Sequence, residues 1–384
     1  MKFRHQVLFG LAVVVLVCGA RPAPAEAQFT QQGPKLAGTD ALGFQGFSVS
    51  LSDDGNTAIL GAPGLGAARV YTRAQGVWSQ QATLGSGGYS VALSSDGNTA
   101  IVGAPGVGAW VFTRAGGVWT QQATLRSGGS YSVALSSDGD TAILGRPDYS
   151  NYDGAAFVYT RSGGVWTEQA TLVGTDAINA FRGSSVTLSS DASTALVGGY
   201  DDNNFVGAAF AYTRSAGVWT QQGAKLVGTG AVGTATTQGR SVSLSADGNT
   251  AIVGGPGDDG GIPLEKDGVG AAWVYARSGG VWTQQQPKLV GTGYIGLAGQ
   301  GHAVALSGDG STALVGGYED TNGVGAAWVF TQPVFAGTPG KANCHGQSVS
   351  ALARQYGGLN SAAAALGYAD VSALQSAMMA YCGG

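Results

Sequence analysis

Short apolar runs alternate with turn-forming residues along most of this chain, and the spacing is that of strands. The clearest unit spans 94–105, where two β-prone runs flank Asp96-Gly97. Asp-Gly between two such runs predicts a hairpin, because glycine accepts the positive φ that the turn requires. The same pattern returns five more times, at 52–63, 136–147, 189–200, 245–256 and 307–318. The chain therefore contains six copies of one unit.

Each copy contains four predicted strands. In the second copy they are Ser90 to Ser94, Thr99 to Gly103, Ala109 to Thr113 and Val118 to Leu125. Four short strands in a repeat of 42 to 62 residues are typical of a propeller blade. A helical solenoid would need a helix-period pattern, which no copy has, and β-helix rungs would be shorter. The predicted fold class is all-β, a six-bladed β-propeller of four-stranded blades.

The sixth copy lacks a fourth strand, because Thr331-Gln332 runs into Pro333. The segment 29–36 matches 219–226 almost residue for residue, with Phe29 in the position of a tryptophan. We therefore expect 28–36 to supply the missing strand and close the ring, which avoids an exposed sheet edge. Deleting this strand should open the propeller and promote aggregation.

A tryptophan near the start of each fourth strand has two interpretations. It could form a ligand platform, or it could fill the wedge between neighbouring blades, which is the interpretation we favour. These tryptophans are Trp78, Trp119, Trp166, Trp219 and Trp282.

The first 27 residues resemble an export signal. Lys2 and Arg4 form a basic start, Val7 to Val17 an apolar run, and Ala25-Glu26-Ala27 a small-residue cleavage site. A membrane anchor is the competing interpretation, but the run is shorter than the roughly 20 residues that span a bilayer. We expect a mature chain from Gln28 that is secreted, periplasmic or held at the cell surface, with no membrane span. The sequence does not distinguish these locations.

Composition restricts the partners. The chain is 44% hydrophobic and 11% charged with 67 glycines, which indicates a large core and many tight turns. Its formal charge of −4 becomes −6 once Lys2, Arg4, Arg21 and Glu26 are removed with the signal. Nucleic acid is therefore excluded as an expected partner. We expect a monomer that binds an extracellular protein or glycan.

The C-terminal part, 336–384, has a different pattern. A Gly-Pro linker leads from the propeller, 28–335, into an alanine-rich stretch with helical spacing. Helices are predicted up to Gly357, over Asn360 to Leu366, and after a cap at Asp370. Cys344 and Cys382, an even pair in an exported chain, predict a disulfide rather than a metal site. This small helical tail would cap the propeller or dock a partner.

The repeat resembles the FG-GAP repeats of integrin α-subunit propellers and, more closely, bacterial extracellular FG-GAP-type repeats. The residues that carry the resemblance are Phe44-Gln45-Gly46 before the first strand, and Gly61-Ala62-Pro63 and Gly103-Ala104-Pro105 after the second. The resemblance covers about 28–332. It implies a β-propeller used for extracellular binding or cell adhesion, often with calcium in loops. Integrin propellers have seven blades, whereas this chain has six repeats.

One rim of the disc is uniform and the other varies in its loops, which is where binding usually occurs on a rigid scaffold. The residue that precedes each innermost strand should lie on the variable rim near the axis. These six residues form a candidate ligand funnel: Phe47, Tyr89, Tyr131, Ser184, Arg240 and His302. The alternative is that the aromatic rings fill the channel and the two basic side chains are solvated.

Calcium requires six to eight oxygen ligands. The Asp-Gly loops offer one carboxylate each, which favours a turn over a metal site. The candidate calcium ligands lie instead in the variable loops, where they could also be ordinary solvated acids: Asp201, Asp202, Asn203, Asp258, Asp259, Glu319, Asp320 and Asn322. No other cofactor is expected.

Motifs for catalysis are mostly absent from the sequence. No acidic residue leads into an innermost strand, and no Ser/His/Asp order or phosphate-binding loop occurs in a suitable context. We therefore expect an exported, non-catalytic binding protein. The alternatives are an extracellular enzyme that processes a polysaccharide or small molecule at the axial funnel, and a purely structural envelope component that binds no soluble ligand.

Overall fold

The computed structural model describes residues 32, 35–36, 43–85, 87–127, 129–178, 183–260, 268–331, 342–365, 368 and 370–383. Six antiparallel blades are arranged in a ring and form a six-bladed β-propeller, as the repeat predicts. Five blades show four strands each, and the sixth shows three within the described residues. The expected signal peptide and nearly all of the expected closing strand lie outside the described residues.

The strands follow the chain order within every blade. Blades one and two consist of β1 Val49–Leu51, β2 Thr57–Ala62, β3 Ala67–Ala74, β4 Val77–Gly85, β5 Ser90–Leu93, β6 Thr99–Ala104, β7 Gly108–Ala115 and β8 Val118–Ser127. Blades three and four consist of β9 Ser132–Leu135, β10 Thr141–Arg146, β11 Ala155–Ser162, β12 Val165–Leu172, β13 Ser185–Leu188, β14 Thr194–Gly199, β15 Ala208–Ser215 and β16 Val218–Gln221.

Blades five and six consist of β17 Ser241–Leu244, β18 Thr250–Gly255, β19 Ala271–Ser278, β20 Val281–Gln284, β21 Ala303–Leu306, β22 Thr312–Gly317 and β23 Ala326–Thr331. Short helical turns follow the second strand of several blades: a 3-10 turn Pro63–Leu65, α1 Tyr149–Tyr152, α2 Asp202–Phe205 and α3 Asp320–Gly323.

Each Asp-Gly step forms the hairpin between the first and second strands of its blade. In blade two, Ser94 Oγ donates to Asp96 Oδ1 at 2.6 Å and accepts from the Thr99 N–H at 2.9 Å. Asp96 Oδ1 also accepts from the Asn98 N–H at 2.9 Å, and Gly97 has φ +66°. The same Ser-to-Asp hydrogen bond occurs in all six blades. These carboxylates therefore build turns, as the sequence indicates.

The tryptophans connect neighbouring blades, which supports the wedge interpretation. Trp119 Nε1 donates to Gln81 Oε1 of the preceding blade at 2.8 Å, and the Arg114 guanidinium lies 5.3 Å from the centre of the Trp119 ring. Trp166, Trp219 and Trp282 repeat this hydrogen bond with a glutamine of the preceding blade. Each of these tryptophans thus links its blade to the preceding one through an indole N–H to glutamine hydrogen bond.

Five of the six blade junctions share one backbone hydrogen bond between hairpin turns, as in Asp53 N–H to Ser95 C=O at 3.0 Å. The described residues show no equivalent bond from blade six to blade one. At that junction Val49 and Leu51 are 67% and 57% exposed, whereas the matching Val91 and Leu93 are 5% and 8% exposed. The junction between blades six and one therefore differs from the other five.

The C-terminal tail contains three helices, α4 Cys344–Tyr356, α5 Leu359–Ala365 and α6 Val371–Gly383. Leu352, Leu374 and Met378 are fully buried in a core of their own. The predicted disulfide joins Cys344 and Cys382, and Asp370 Oδ1 caps α6 by accepting the Ala373 N–H at 2.8 Å. Among the described residues, no helix combines the length and apolar character needed to cross a membrane.

Candidate functional site

The two rims of the disc have different constructions. We call the rim with the six hairpins between first and second strands the turn rim; five of these hairpins contain Asp-Gly, and the one in blade four contains Asp191-Ala192. The opposite rim, which we call the loop rim, carries the described parts of the connections from each second strand to the third, at 63–66, 105–107, 147–154, 200–207, 256–260 with 268–270, and 318–325. Because strands within a blade are antiparallel, the residues that lead into the innermost strands lie on the loop rim.

Four of the six funnel residues form contacts in two pairs. The Phe47 and Tyr89 rings lie 4.7 Å apart between centroids. Arg240 Nη2 lies 3.3 Å from His302 Nε2. These pairs join blades one and two and blades five and six, so residues that are 42 and 62 positions apart in sequence become neighbours.

The remaining two funnel residues differ from each other. The Ser184 hydroxyl donates a hydrogen bond to the Gly198 carbonyl at 3.2 Å, so this side chain is engaged by the backbone of its own blade. Tyr131 is 40% exposed and interacts electrostatically with Tyr200, the first residue of the blade-four loop.

Arg240 contacts Tyr200 through its guanidinium and His302 through Nη2. Its guanidinium lies 5.3 Å from the centre of the Tyr200 ring, and its neighbour His302 packs edge-on against Tyr318 with 4.4 Å between ring centroids. Cation–π stacking of this kind fixes the plane of a guanidinium while leaving its edge accessible. Tyr200, Arg240, His302 and Tyr318 therefore form one cluster, which we call the axial cluster.

Asp201 lies beside this cluster and is only 8% exposed. Its Oδ1 atom is buried without a hydrogen-bond partner. Burial raises the pKa of Asp201 to about 6, although nearby Arg240 opposes the shift. Burial and the Arg240 charge together lower the pKa of His302 to about 4. At neutral pH the site thus combines a fixed cation, a neutral imidazole and a poorly solvated carboxylate.

Two of the predicted calcium ligands form buried ion pairs. Asp202 Oδ1 accepts the Ile178 N–H at 2.7 Å, and its other oxygen pairs with Lys225 Nζ. Asp258 repeats the arrangement with the Val232 N–H at 2.7 Å and with Lys288 Nζ. These carboxylates hold the incoming loop of the same blade, and a lysine already neutralises each one.

Asp320 occupies the corresponding position in blade six, where its Oδ1 accepts the Ile295 N–H at 2.7 Å and its Oδ2 accepts from Thr321 Oγ1 at 2.9 Å. Asn203, Asp259 and Asn322 adopt positive φ of 50°, 56° and 58° in the loops, and all three are exposed.

Glu319 is half-buried at the start of α3. Among the described residues, no three His, Cys, Asp or Glu side chains cluster as a metal site. Calcium binding in these loops stays a prediction.

Sequence reasoning did not identify several residues of this rim. Lys225 lies in the aligned segment 219–226, but only the structure pairs Lys225 with Asp202 and Lys288 with Asp258. Each lysine belongs to a fourth-strand segment that is one residue longer than in blades one to three, and that insertion was the available signal. Tyr200 and Tyr318 directly follow the second strands of blades four and six.

No protein-family model matches this chain, and a search of curated proteins found no match. Among solved structures the chain is similar to hydrazine synthase of Kuenenia stuttgartiensis, with a TM-score of 0.53 and 13% identity over 75% of this chain and 83% of that chain. Similarity at this identity concerns the fold alone, and it supports a β-propeller.

Proposed function

We propose that this protein is an exported, non-catalytic binding protein that presents its loop rim to an extracellular glycan or protein. The resemblance to FG-GAP-type repeats and the predicted export signal support the extracellular context. The observation that carries the proposal is the axial cluster, in which aromatic rings hold an exposed guanidinium on the rim with variable loops. Large aromatic side chains and arginine are the residue types enriched at binding hot spots.

The turn rim supports the same proposal by contrast. One aspartate at the equivalent position of each of its six hairpins accepts a hydrogen bond from a serine hydroxyl of the same hairpin. Its arginines connect blades, as Arg114 does through Asn98, Gln81 and Thr57. Polar groups already committed to the scaffold are less available to a ligand, so we place binding on the loop rim.

The proposal is tested by screening residues 28–384 on a glycan array and in pull-downs from extracellular fractions. The two matched variants are Arg240→Gln on the loop rim and Arg114→Gln on the turn rim, each checked for folding by circular dichroism and thermal unfolding. We expect Arg240→Gln to weaken the captured ligand and Arg114→Gln to leave its affinity unchanged. Equal losses in the two variants would place binding elsewhere.

An enzyme is the second candidate, and one observation favours it. Asp201, Arg240 and His302 are neighbouring polar groups, and the pKa of Asp201 is raised while that of His302 is lowered. Opposed shifts of this kind occur at catalytic sites. Incubation with extracellular polysaccharides followed by a reducing-end assay tests this candidate. Turnover that Asp201→Asn abolishes would replace the binding proposal.

A further inference from the structure

Arg240 differs from turn-rim arginines such as Arg114 and Arg277, whose guanidinium groups donate to side-chain oxygens of neighbouring asparagine and glutamine residues. Its guanidinium stacks on Tyr200 and contacts His302. Arg146 and Arg161, by contrast, form ion pairs with Asp148 and Asp140. No carboxylate oxygen of a described residue lies within 4.0 Å of the Arg240 nitrogens.

An exposed, oriented guanidinium is suited to a carboxylate. Its planar fork matches the two carboxylate oxygens, and bidentate pairing adds orientation as well as energy. Stacking on Tyr200 reduces the conformational freedom that Arg240 would lose on binding. The neighbouring imidazole carries no charge at neutral pH, since the pKa of His302 is about 4. Arg240 is therefore the cation of the axial cluster.

The surroundings of Arg240 favour a carboxylate that is attached to a sugar ring. Tyr131 and Tyr318 are 40% and 52% exposed, and a tyrosine combines an apolar ring with a polar tip. A sugar acid combines an apolar C–H face, a rim of hydroxyl groups and a carboxylate on one rigid ring. A peptide carboxylate lies at the end of a flexible side chain and would use only the guanidinium.

Asp201 determines how tightly such an anion is held. It is buried beside Arg240, and its Oδ1 has no partner. A carboxylate at this position opposes a second anion through like-charge repulsion, while its unpartnered oxygen can accept a ligand hydroxyl. The expected affinity is therefore modest, and it should depend on the salt concentration because the site lies at the surface.

We infer that the axial cluster binds the uronic acid residues of an acidic glycan, and this inference rests on the proposed binding function. Arg240 pairs with the carboxylate, while Tyr318 of the cluster and Tyr131 outside it contact the sugar ring. This inference assigns a ligand class to the loop rim.

The test uses residues 28–384 at pH 7.5 and isothermal titration with hexasaccharides. The acidic probes are oligogalacturonate, oligomannuronate and hyaluronan oligomers, and the neutral probes are cellohexaose and chitohexaose. We expect at least one acidic probe to bind, with Arg240→Gln weakening it about tenfold or more through the lost charge-assisted hydrogen bonds. Arg240→Lys should recover only part of the loss, and Asp201→Asn should tighten binding about threefold by removing a nearby negative charge.

Three results would overturn the inference. They are failure of every acidic probe to bind, equal affinity of Arg240→Gln and the parent chain, and binding of neutral probes at least as tight as that of their acidic counterparts. Capture of an acidic peptide in place of the uronates would also reject it. If glycan-array or pull-down binding survives in Arg240→Gln, the protein is still a binding protein, but its ligand site lies outside the axial cluster and the uronate assignment fails.

Discussion

The two rims of this propeller use aspartate in opposite ways. On the turn rim one equivalent Asp in each of the six hairpins receives a hydrogen bond from a serine of the same hairpin. Such bonds, from Ser52 and Asn56, lower the pKa of Asp54 to about 2. On the loop rim Asp201 is buried with an unpartnered oxygen, and burial raises its pKa to about 6. Ionised aspartate thus stabilises the hairpins of the turn rim, whereas on the loop rim the ionised form of Asp201 is destabilised by burial.

A second contrast lies within the loop rim itself. Asp202 is adjacent to Asp201 in sequence, but it accepts a backbone N–H and pairs with Lys225. Asp201 interacts electrostatically with Arg240 without forming an ion pair. Adjacent carboxylates therefore have different roles, one in holding a loop and one beside the axial cluster. The difference indicates that function should be sought at poorly satisfied groups rather than at acidic groups in general.

The largest expected effect concerns the buried ion pair of blade four. Lys225→Met leaves the Asp202 carboxylate buried without its cation, which should reduce the free energy of unfolding by about 3–5 kcal/mol. The double variant Asp202→Asn/Lys225→Met keeps an oxygen for the Ile178 N–H and should recover most of the loss. Urea unfolding at pH 7.5 measures both variants.

The same variants test the calcium prediction. The melting temperatures of the parent chain and of Lys225→Met are measured with and without calcium. The comparison shows whether calcium can replace the lysine as the partner of Asp202. Millimolar calcium that restores the stability of Lys225→Met would show that this carboxylate can serve a metal. An unchanged melting temperature would assign it to the lysine alone.

A smaller loss of stability is expected from substitutions on the turn rim. Gly139 and Gly55 occupy the same position in the hairpins of blades three and one and form a matched pair. Both have positive φ, +71° and +65°. A Cβ at Gly139 would lie 2.9 Å from Thr99 Cβ of the preceding blade, whereas the nearest atom to one at Gly55 is Arg73 Nη2 at 3.4 Å. Gly55→Ala should cost about 1–2 kcal/mol for backbone strain alone.

Gly139→Ala should cost about 3 kcal/mol, because overpacking adds to the strain. Thermal unfolding of the two variants gives the difference directly. Equal losses would mean that blade contacts at the turn rim are looser than the structure indicates.

Much of the fold could be predicted from the sequence, because it depends on local rules. Asp96-Gly97 and its five equivalents indicate hairpins, and the predicted strand Ala109 to Thr113 differs from Gly108–Ala115 only at its ends. The extra residues pair because the ladder continues past the apolar core into Arg114 and Ala115. Local pattern shows where a strand lies but not where its pairing stops.

The site could be predicted only in outline. Arg240 and His302 were placed on one rim because each precedes an innermost strand. Their 3.3 Å contact and the burial of Asp201 depend on the conformations of the loops. Those loops contain residues such as Asn203 and Asn204 with positive φ, and residue types alone do not determine such backbones. The ion pair between Asp202 and Lys225 likewise could not be predicted. The one-residue insertion that contains Lys225 is visible in the sequence, but the sequence does not show which residue the lysine contacts.

The same substitution made on both rims tests the central claim most directly. Partial burial raises the pKa of Asp96, but hydrogen bonds from Ser94 and Asn98 outweigh it and hold the pKa below its usual value. The stabilisation from ionised Asp96 is therefore present above pH 4 and is lost as the pH falls through the folded-state pKa. Asp201 behaves in the opposite sense, because its raised pKa penalises the ionised form above pH 6, and the penalty disappears as the pH falls below the ordinary value of 3.8.

The measurement is the free energy of unfolding of Asp96→Asn and Asp201→Asn at pH 7.5 and again at pH 3.5. At pH 7.5 we expect Asp96→Asn to lose about 1 kcal/mol with its charge-assisted hydrogen bonds. Asp201→Asn should gain about 1 kcal/mol, allowing for solvent screening at the rim, and this gain should vanish at pH 3.5. Losses of the same sign and size in both variants at pH 7.5 would contradict the account, because they would make Asp201 one more scaffold carboxylate.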